Sequence, residues 1–417
     1  MPSANRLRTG DQALVREINL SLILNHLFEH PLLSRADLAG VTGLNKSTVS
    51  SLVQELLDNG LVREVGLNSN HIGRPSVLLE LDNKAGYIVC CEIGVDFISV
   101  ICSDFGTEII WRHREDTHDL TGQDAIIKRI LALLHQAVNV GAEACANCRV
   151  LGLSVGAPGL IDQTSGTLLF APNLEWQNVP LRAILHNEFP AIPIFVENEA
   201  NMALLGEYFF GAAKGYDEIL FISAGVGLGG AVILGGQLFK GKTGFASEFG
   251  HMTMDSAGLP CKCGNRGCWE TQASQSAVFR HIRYQIESGK PTLLSALTQN
   301  NLDLLTIPLM IQAAQEHDSL ALQAFEQVGH YLGVGIASLV NAYNPDLIVF
   351  GGILSLAGEF LLPIIQAELH ARALHWHSAA TRVVLAQHGS DACVIGGIAM
   401  TFNHILSHPI RTTVIYG

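Results

Sequence analysis

Three cysteines stand close together in Cys261-Lys262-Cys263-Gly264-Asn265-Arg266-Gly267-Cys268-Trp269-Glu270, and His251 lies ten residues upstream of the first. Three thiolates and one imidazole make a closed tetrahedral donor set, the usual composition of structural Zn2+. Four protein ligands leave no open coordination position, which argues against a catalytic metal. Free thiols in a loop are the plainer alternative. Gly264 and Gly267 allow the loop to fold tightly enough for the sulfurs to converge, and the expected role of the metal is to fix His251 and Glu270 in the wall of a pocket. The other six cysteines, Cys90, Cys91, Cys102, Cys145, Cys148 and Cys393, lie in or beside apolar or Ala-rich stretches and read as inert thiols. An odd total of nine does not describe a secreted disulfide framework, so a reduced, cytoplasmic protein is expected.

A second group has the chemistry of groove contacts. Asn45, Lys46, Ser47, Thr48, Ser50 and Ser51 are short, polar side chains with one cation, and they open a helix that follows the turn Thr42-Gly43-Leu44. In a helix-turn-helix this is the part that meets base edges and phosphates of operator DNA. The same residues also serve as an N-cap and a solvated first turn. Farther on, Gly73-Arg74-Pro75 offers a close-approach glycine, a stiffening proline and an arginine suited to a narrow minor groove.

The run Phe245-Ala246-Ser247-Glu248-Phe249-Gly250-His251, followed by the cysteine cluster, resembles the signature of the ROK family (repressors, open reading frames and kinases). The head is similar to that of its regulator branch, which includes xylose repressors and Mlc/NagC-type repressors. The resemblance spans about residues 12–405. It implies an α/β, actin-like (ribonuclease H-like) two-lobed sugar-kinase fold preceded by a winged helix-turn-helix, commonly a homodimer or homotetramer. It also implies a monosaccharide effector, xylose or a hexose, in the cleft. Gly156-Ala157-Pro158-Gly159 resembles the loop bordering the sugar, and Asn173-Leu174-Glu175-Trp176 resembles a rim segment. Glu197-Asn198-Glu199-Ala200-Asn201 resembles the Asn-Asp-Ala-Asn motif that holds the sugar. The implied sugar ligands are Asn173, Asn198, Glu199, Glu248, His251 and Glu270, and carboxylates, amides and an imidazole suit a polyol.

The same resemblance separates a sensor from a kinase. A kinase needs two glycine loops for phosphates and a carboxylate base. The first loop, usually Asp-x-Gly-Gly-Thr, here reads Glu92-Ile93-Gly94-Val95-Asp96, and the base position holds Glu199 in place of Asp. One extra methylene displaces the carboxylate by about 1 Å, enough to cost of order a hundredfold in rate. Only Ala224-Gly225-Val226-Gly227-Leu228-Gly229-Gly230 still matches, and close strand packing explains it equally well; Gly351-Gly352 likewise also serves the fold. The expectation is a sugar-responsive repressor of carbohydrate-metabolism genes without enzyme activity, Glu199 being a vestigial base. An ATP-dependent sugar kinase with an appended head, and a regulator governed by a partner protein, remain the alternatives.

The elements that must position these groups follow from pattern and charge. Residues 1–80 carry seven Lys/Arg against eight Asp/Glu and the remaining 337 carry eighteen against thirty, so the net charge of −13 sits in the larger part and leaves the head free to approach DNA. Val15, Ile18, Leu22, Ile23 and Leu27 recur at helical spacing. Ser34 caps a second helix with Leu38, Ala39 and Val41 on its inner face, and the third runs from Asn45 to about Asn59-Gly60. Two short strands around the polar tip 66–73 complete a wing. Beyond Gly86, apolar strands at 87–95, 97–102, 107–113, 150–155, 194–197, 219–224, 230–234 and 347–350 alternate with helices at 124–140, 199–210, 272–288, 308–316, 319–342 and the C-terminus, an α/β pattern. The expected division is a head at 1–82, a first lobe at 86–198, a second at 199–390 and a C-terminal helix and tail at 391–417 packing back on the first lobe. No apolar run approaches the ~18–20 residues of a membrane span, so no membrane insertion is expected.

Overall fold

The computed structural model describes residues 12–68, 76–145 and 148–409. In the head, α1 (Gln12–Glu29), α2 (Arg35–Thr42) and α3 (Lys46–Asp58) pack through Leu24, Leu27, Leu38, Val49, Val53 and Leu56. Ser34 and Asp37 form a capping box at the start of α2, each side chain taking the other's backbone amide. Three strands, β1 (Leu33–Ser34), β2 (Val62–Asn68) and β3 (Ser76–Leu81), pair antiparallel in the order β1-β3-β2, so the wing has a short third strand beyond the expected two. Val41, expected on the inner face of α2, is 52% exposed, and Val15 and Ile18 of the helical repeat in α1 are 48% and 56% exposed. The buried line of α1 runs instead through Leu20, Ile23, Leu24 and Leu27, the residues that meet the rest of the head and the helix beneath it.

The next strands, β4 (Tyr87–Ile93), β5 (Phe97–Asp104) and β6 (Ile109–Asp116), form an antiparallel meander crossed by α4 (Gln123–Ala144). Then come β7 (Val150–Ala157), a small side sheet of β8 (Leu160–Asp162), β9 (Thr167–Ala171) and β10 (Trp176–Val179), helix α5 (Leu181–Glu188), and β11 (Ile194–Asn198). Strands β7 and β11 add parallel to the meander, in the order β11-β7-β4-β5-β6. After α6 (Glu199–Phe210) the plan repeats with β12 (Ile219–Ala224), β13 (Leu228–Leu234) and β14 (Gln237–Leu238), followed by α7 (Gln275–Glu287), α8 (Leu293–Leu297), α9 (Ile307–Gln315) and α10 (Ser319–Tyr343). Strand β15 (Leu347–Gly351), helices α11 (Gly358–Arg372) and α12 (His375–Ala380), strand β16 (Arg382–Leu385) and helix α13 (Ala392–Ser407) complete it. The second sheet is ordered β14-β13-β12-β15-β16, again a meander with two parallel strands added. The sequence pattern missed α11, whose Pro363 lies six residues inside the helix and reads as a breaker. It also missed the short edge strand β16 and the side sheet. The stretch Ile353–Arg372 is long and apolar enough to cross a membrane by composition, contrary to the sequence reading, but Leu361, Ile365 and Leu369 are buried in the core with α10.

Cys145 and Cys148 correct another expectation. The turn leaving α4 brings their Cα atoms to 5.3 Å and the two are paired as a disulfide, whereas Cys90, Cys91, Cys102 and Cys393 are buried free thiols.

Helices α6 and α13 tie the parts together. They touch closely enough that a Cβ on Gly396 would fall inside the Met202 carbonyl. At one end, Phe28 of α1 packs on Phe210 of α6 with ring centroids 6.3 Å apart and on Phe402 of α13 at 4.9 Å. His408, just past α13, bonds Glu17 of α1 at 3.0 Å. Such aromatic contacts each add about 0.5–1.5 kcal/mol beyond area burial, so the head is seated on the ends of both helices.

Candidate functional site

A ring nitrogen of His251 and the sulfurs of Cys261, Cys263 and Cys268 lie within 4.8 Å of one another. Nδ1 is 3.8 Å from Cys261 Sγ, and Cys263 Sγ is 3.7 Å from Cys268 Sγ. A tetrahedral ion with metal–sulfur bonds of about 2.3 Å sets its ligands about 3.8 Å apart, so the cluster can hold a four-coordinate metal ion. The loop is shaped for this by backbone bridges, Thr253 with Cys268 and Pro260 with Arg266, and by Gly264 and Gly267 at φ of 95° and 65°. Burial and the nearby Glu270 carboxylate push the Cys261 thiol up, so ionising it calls for a cation among the sulfurs.

Glu270 joins this cluster to the cleft. Its Oε1 accepts from Cys261 Sγ at 2.9 Å and lies 3.7 Å from His251 Nδ1. The other oxygen, Oε2, and Asn173 Nδ2 converge over Gly227, 2.7 and 2.8 Å from where a Cβ there would stand. One residue into β13, Glu199 Oε1 is 3.6 Å from the corresponding position on Gly229. Asn173 comes from the turn between β9 and β10, Glu199 from the first turn of α6, and Glu270 from the turn after the metal loop. Glu248 sits at the start of the single turn Phe249–His251, its carboxyl raised by burial, with Glu270 adding to the rise and His251 opposing it. Asn198 is adjacent but its amide is already engaged: Oδ1 accepts from the Ala200 and Asn201 amides as the N-cap of α6, and Nδ2 donates to the Gly159 carbonyl at 3.1 Å. It therefore orders the α6 turn within the cleft wall.

The far end of the cleft is built differently. The Gly94 amide donates to the Phe97 carbonyl at 2.8 Å, and a Cβ on Gly94 would overlap the Phe97 ring. Arg114 covers that ring from the other side, 3.7 Å from its centroid. Little is left of a backbone cradle. Beside it, Glu92 Oε2 and Glu199 Oε2 are buried and have no hydrogen-bond partner. Burial pushes Glu92 up to about 7, against the pull of Arg114. Glu199 is pushed up to about 8 by burial, with Glu248 and Glu92 adding like charge.

On the head, Asn45 caps α3: its Oδ1 accepts from the Thr48 amide at 2.8 Å and from Ser47 Oγ at 2.7 Å. Lys46, Ser47, Ser50 and Ser51 are exposed and Thr48 half-exposed, opposite the buried Val49, Leu52 and Val53. This is one continuous polar face. Arg74 lies outside the described residues.

Sequence reasoning missed two things here. The pair of buried Glu197 with the half-exposed Lys240 lies directly behind Asn198. The aromatic junction of Phe28, Phe210 and Phe402 joins residues almost four hundred positions apart, and spacing cannot signal it. For Glu197 a signal existed: it heads the same motif as Asn198 and Glu199.

Residues 88–403 match the ROK family, and residues 16–63 match winged helix-turn-helix DNA-binding proteins. The xylose repressor of Caldicellulosiruptor bescii is 33% identical over 400 residues, covering 96% of this chain and 99% of its own. A solved ROK family transcriptional regulator, described as a homologue of the Escherichia coli Mlc protein, superposes with a TM-score of 0.83 at 26% identity, over 97% of this chain and 100% of its own. A ROK family glucokinase from Streptomyces griseus, in complex with glucose and AMPPNP, reaches 0.67 at 30% identity, over 76% of this chain and 99% of its own. The fold is thus the actin-like, two-lobed sugar-kinase fold, preceded by a winged helix-turn-helix.

Proposed function

The chain belongs to the ROK family, and from that premise we propose that it is a sugar-responsive transcriptional repressor of carbohydrate-metabolism genes. It binds operator DNA through α3 and the wing and takes a monosaccharide in the cleft. The observation that carries this reading is that α6 and α13 each reach from the cleft to the head. Helix α6 starts at Asn198 and Glu199 and ends at Phe210 against Phe28. Helix α13 starts beside Asp391, which pairs with Arg112 of β6 at 2.7 Å, and carries Phe402 to the same phenyl ring. Two closely packed helices move as one body, so a ligand that shifts the Glu199 turn also tilts the seat of the head. In a homodimer or homotetramer that tilt changes the separation of two recognition helices, which must match half-sites about 34–36 Å apart.

Asn173, Glu199, Glu248, His251 and Glu270 supply the hydroxyl contacts, with Asn198 shaping the α6 turn. Lys46, Ser47, Thr48, Ser50 and Ser51 face the groove, Asn45 orders them, and Arg74 of the wing reaches the minor groove. His251, Cys261, Cys263 and Cys268 would hold a structural Zn2+, which would keep the sulfurs ionised and fix the His251 side chain, with Glu270 beside it, in the wall of the sugar site. The protein works in the cytoplasm, where its operator is.

Phosphoryl transfer is not part of this function. The Gly94 amide is engaged, Phe97 fills the space beside it, and Glu199 stands one methylene longer than the aspartate that the family's base position carries. A thermal-shift screen of monosaccharides tests the reading, since a sugar at a hundred times its Kd adds about 2.7 kcal/mol of stability. A stabilising sugar that also weakens operator binding is expected; no stabilisation by any pentose, hexose or amino sugar would sink the proposal.

A further inference from the structure

One charged pair joins the two lobes with only its acid fully covered: the Glu197 side chain is 2% exposed and that of Lys240 37%. Lys240, two residues past β14, places Nζ on Glu197 Oε2 and, at 2.9 Å, on Gln163 Oε1. Glu197, in β11, is 1% exposed. Its Oε1 accepts from the Asn198 amide at 2.9 Å, from Gln163 Nε2 at 3.0 Å and from Asn201 Nδ2 at 3.1 Å. Gln163 lies in the turn between β8 and β9, so its amide donates to the acid and accepts from the lysine, closing a three-membered ring. None of these three side chains belongs to the sugar set.

Their position in the chain gives the ring its meaning. Glu197 immediately precedes Asn198 and Glu199. Lys240 begins the segment that delivers Glu248, and the Ala246 amide folds that segment back onto the Lys240 carbonyl at 3.3 Å. A second interlobe pair, Lys262 with Glu175 at 3.4 Å, has side chains 59% and 80% exposed. Water screens that pair, and such contacts are worth little. Glu197 itself is shielded from water although the Lys240 side chain is 37% exposed, so removal of the lysine leaves a buried carboxylate without its counterion. We infer that Lys240 is a positioning residue: through Glu197 and Gln163 it locks the Glu248 segment of the second lobe onto the end of β11 in the first, directly before Asn198 and Glu199, so that the sugar ligands on either side of the lobe boundary stand assembled before sugar arrives. The inference rests on the sugar-site reading above.

The test uses the full chain in four variants, Lys240→Met, Lys240→Arg, Lys240→Met with Glu197→Gln, and Lys262→Met. Two measurements are made: hydrogen exchange of amides 240–248 without sugar, and calorimetric titration with xylose and with glucose. In Lys240→Met, exchange across 240–248 rises about tenfold or more and sugar affinity falls about tenfold. Lys240→Arg restores most of both, the double variant loses no more than Lys240→Met, and Lys262→Met changes neither. Unchanged exchange in Lys240→Met overturns the lock whatever the sugar does. A rise spread evenly over the whole chain also overturns it, since Lys240 then serves general stability. Should the wild type bind neither sugar while exchange at 240–248 still rises in Lys240→Met, the lock stands and the sugar reading falls.

Discussion

The two ends of the cleft differ in how their carboxylates are treated. At the metal end, Glu270 sets one oxygen beside His251 and Cys261 and directs the other, with Asn173, over Gly227. At the opposite end, Glu92 and Glu199 each bury an oxygen with no partner and are held toward the protonated form. An unpartnered buried acceptor is costly, and two acids held toward the neutral form supply no charge to hold the metal ions that accompany a triphosphate. On the proposed reading, the difference teaches that a kinase fold can keep the geometry that recognises a polyol while losing the electrostatics that a triphosphate and its metal require.

The largest expected effect lies at the metal end. Cys263→Ala removes one of four ligands; metal content measured by elemental analysis should fall to near none, and sugar affinity by about a hundredfold, the upper range for disturbed metal surroundings. Full sugar affinity in a metal-free variant would detach the cluster from the site and break the comparison.

A smaller effect reports on the other end. The Glu92 and Glu199 carboxyls are raised above their unfolded value of 4.5 to about 7 and about 8. The folded state therefore holds more protons than the unfolded one, and the stabilisation is fully present below about pH 4.5 and lost as pH rises through 8. The melting temperature of the sugar-free protein should fall by several degrees between about pH 6 and 9. Glu199→Gln, which mimics the protonated acid, should flatten most of that slope; an unchanged slope in that variant would show that Glu199 is ionised throughout.

The smallest expected signal is phosphotransfer. Neither the wild type nor Glu199→Asp should form sugar phosphate from ATP above background, because shortening the acid leaves Phe97 in place beside Gly94. Steady turnover by the wild type would erase the distinction between the two ends.

Much of this was legible in residue types and spacing. Cys261, Cys263 and Cys268 lie within eight residues, so their convergence is a local property of one glycine-bearing loop. The recognition helix was readable for the same reason, since Asn45 caps what it precedes. Val41 was misplaced on the inner face of α2, because helical spacing identifies a stripe but not which stripe finds a partner. Helix α11 was hidden by Pro363, and the disulfide of Cys145 with Cys148 by their Ala-rich setting. What spacing could not reveal was the pairing of distant segments: Lys240 on Glu197, and Phe28 against both Phe210 and Phe402. Those contacts exist only once the two lobes and the head are assembled, and they carry the proposed communication.

The central claim is that a sugar in the cleft is felt at the operator. Its most direct test is fluorescence anisotropy of DNA selected by this protein from a random pool, titrated with and without the sugar found by thermal shift. The account predicts that saturating sugar changes operator affinity by about tenfold or more, within the usual range of allosteric coupling. Identical affinity in both titrations, with the sugar shown to be bound, would contradict it.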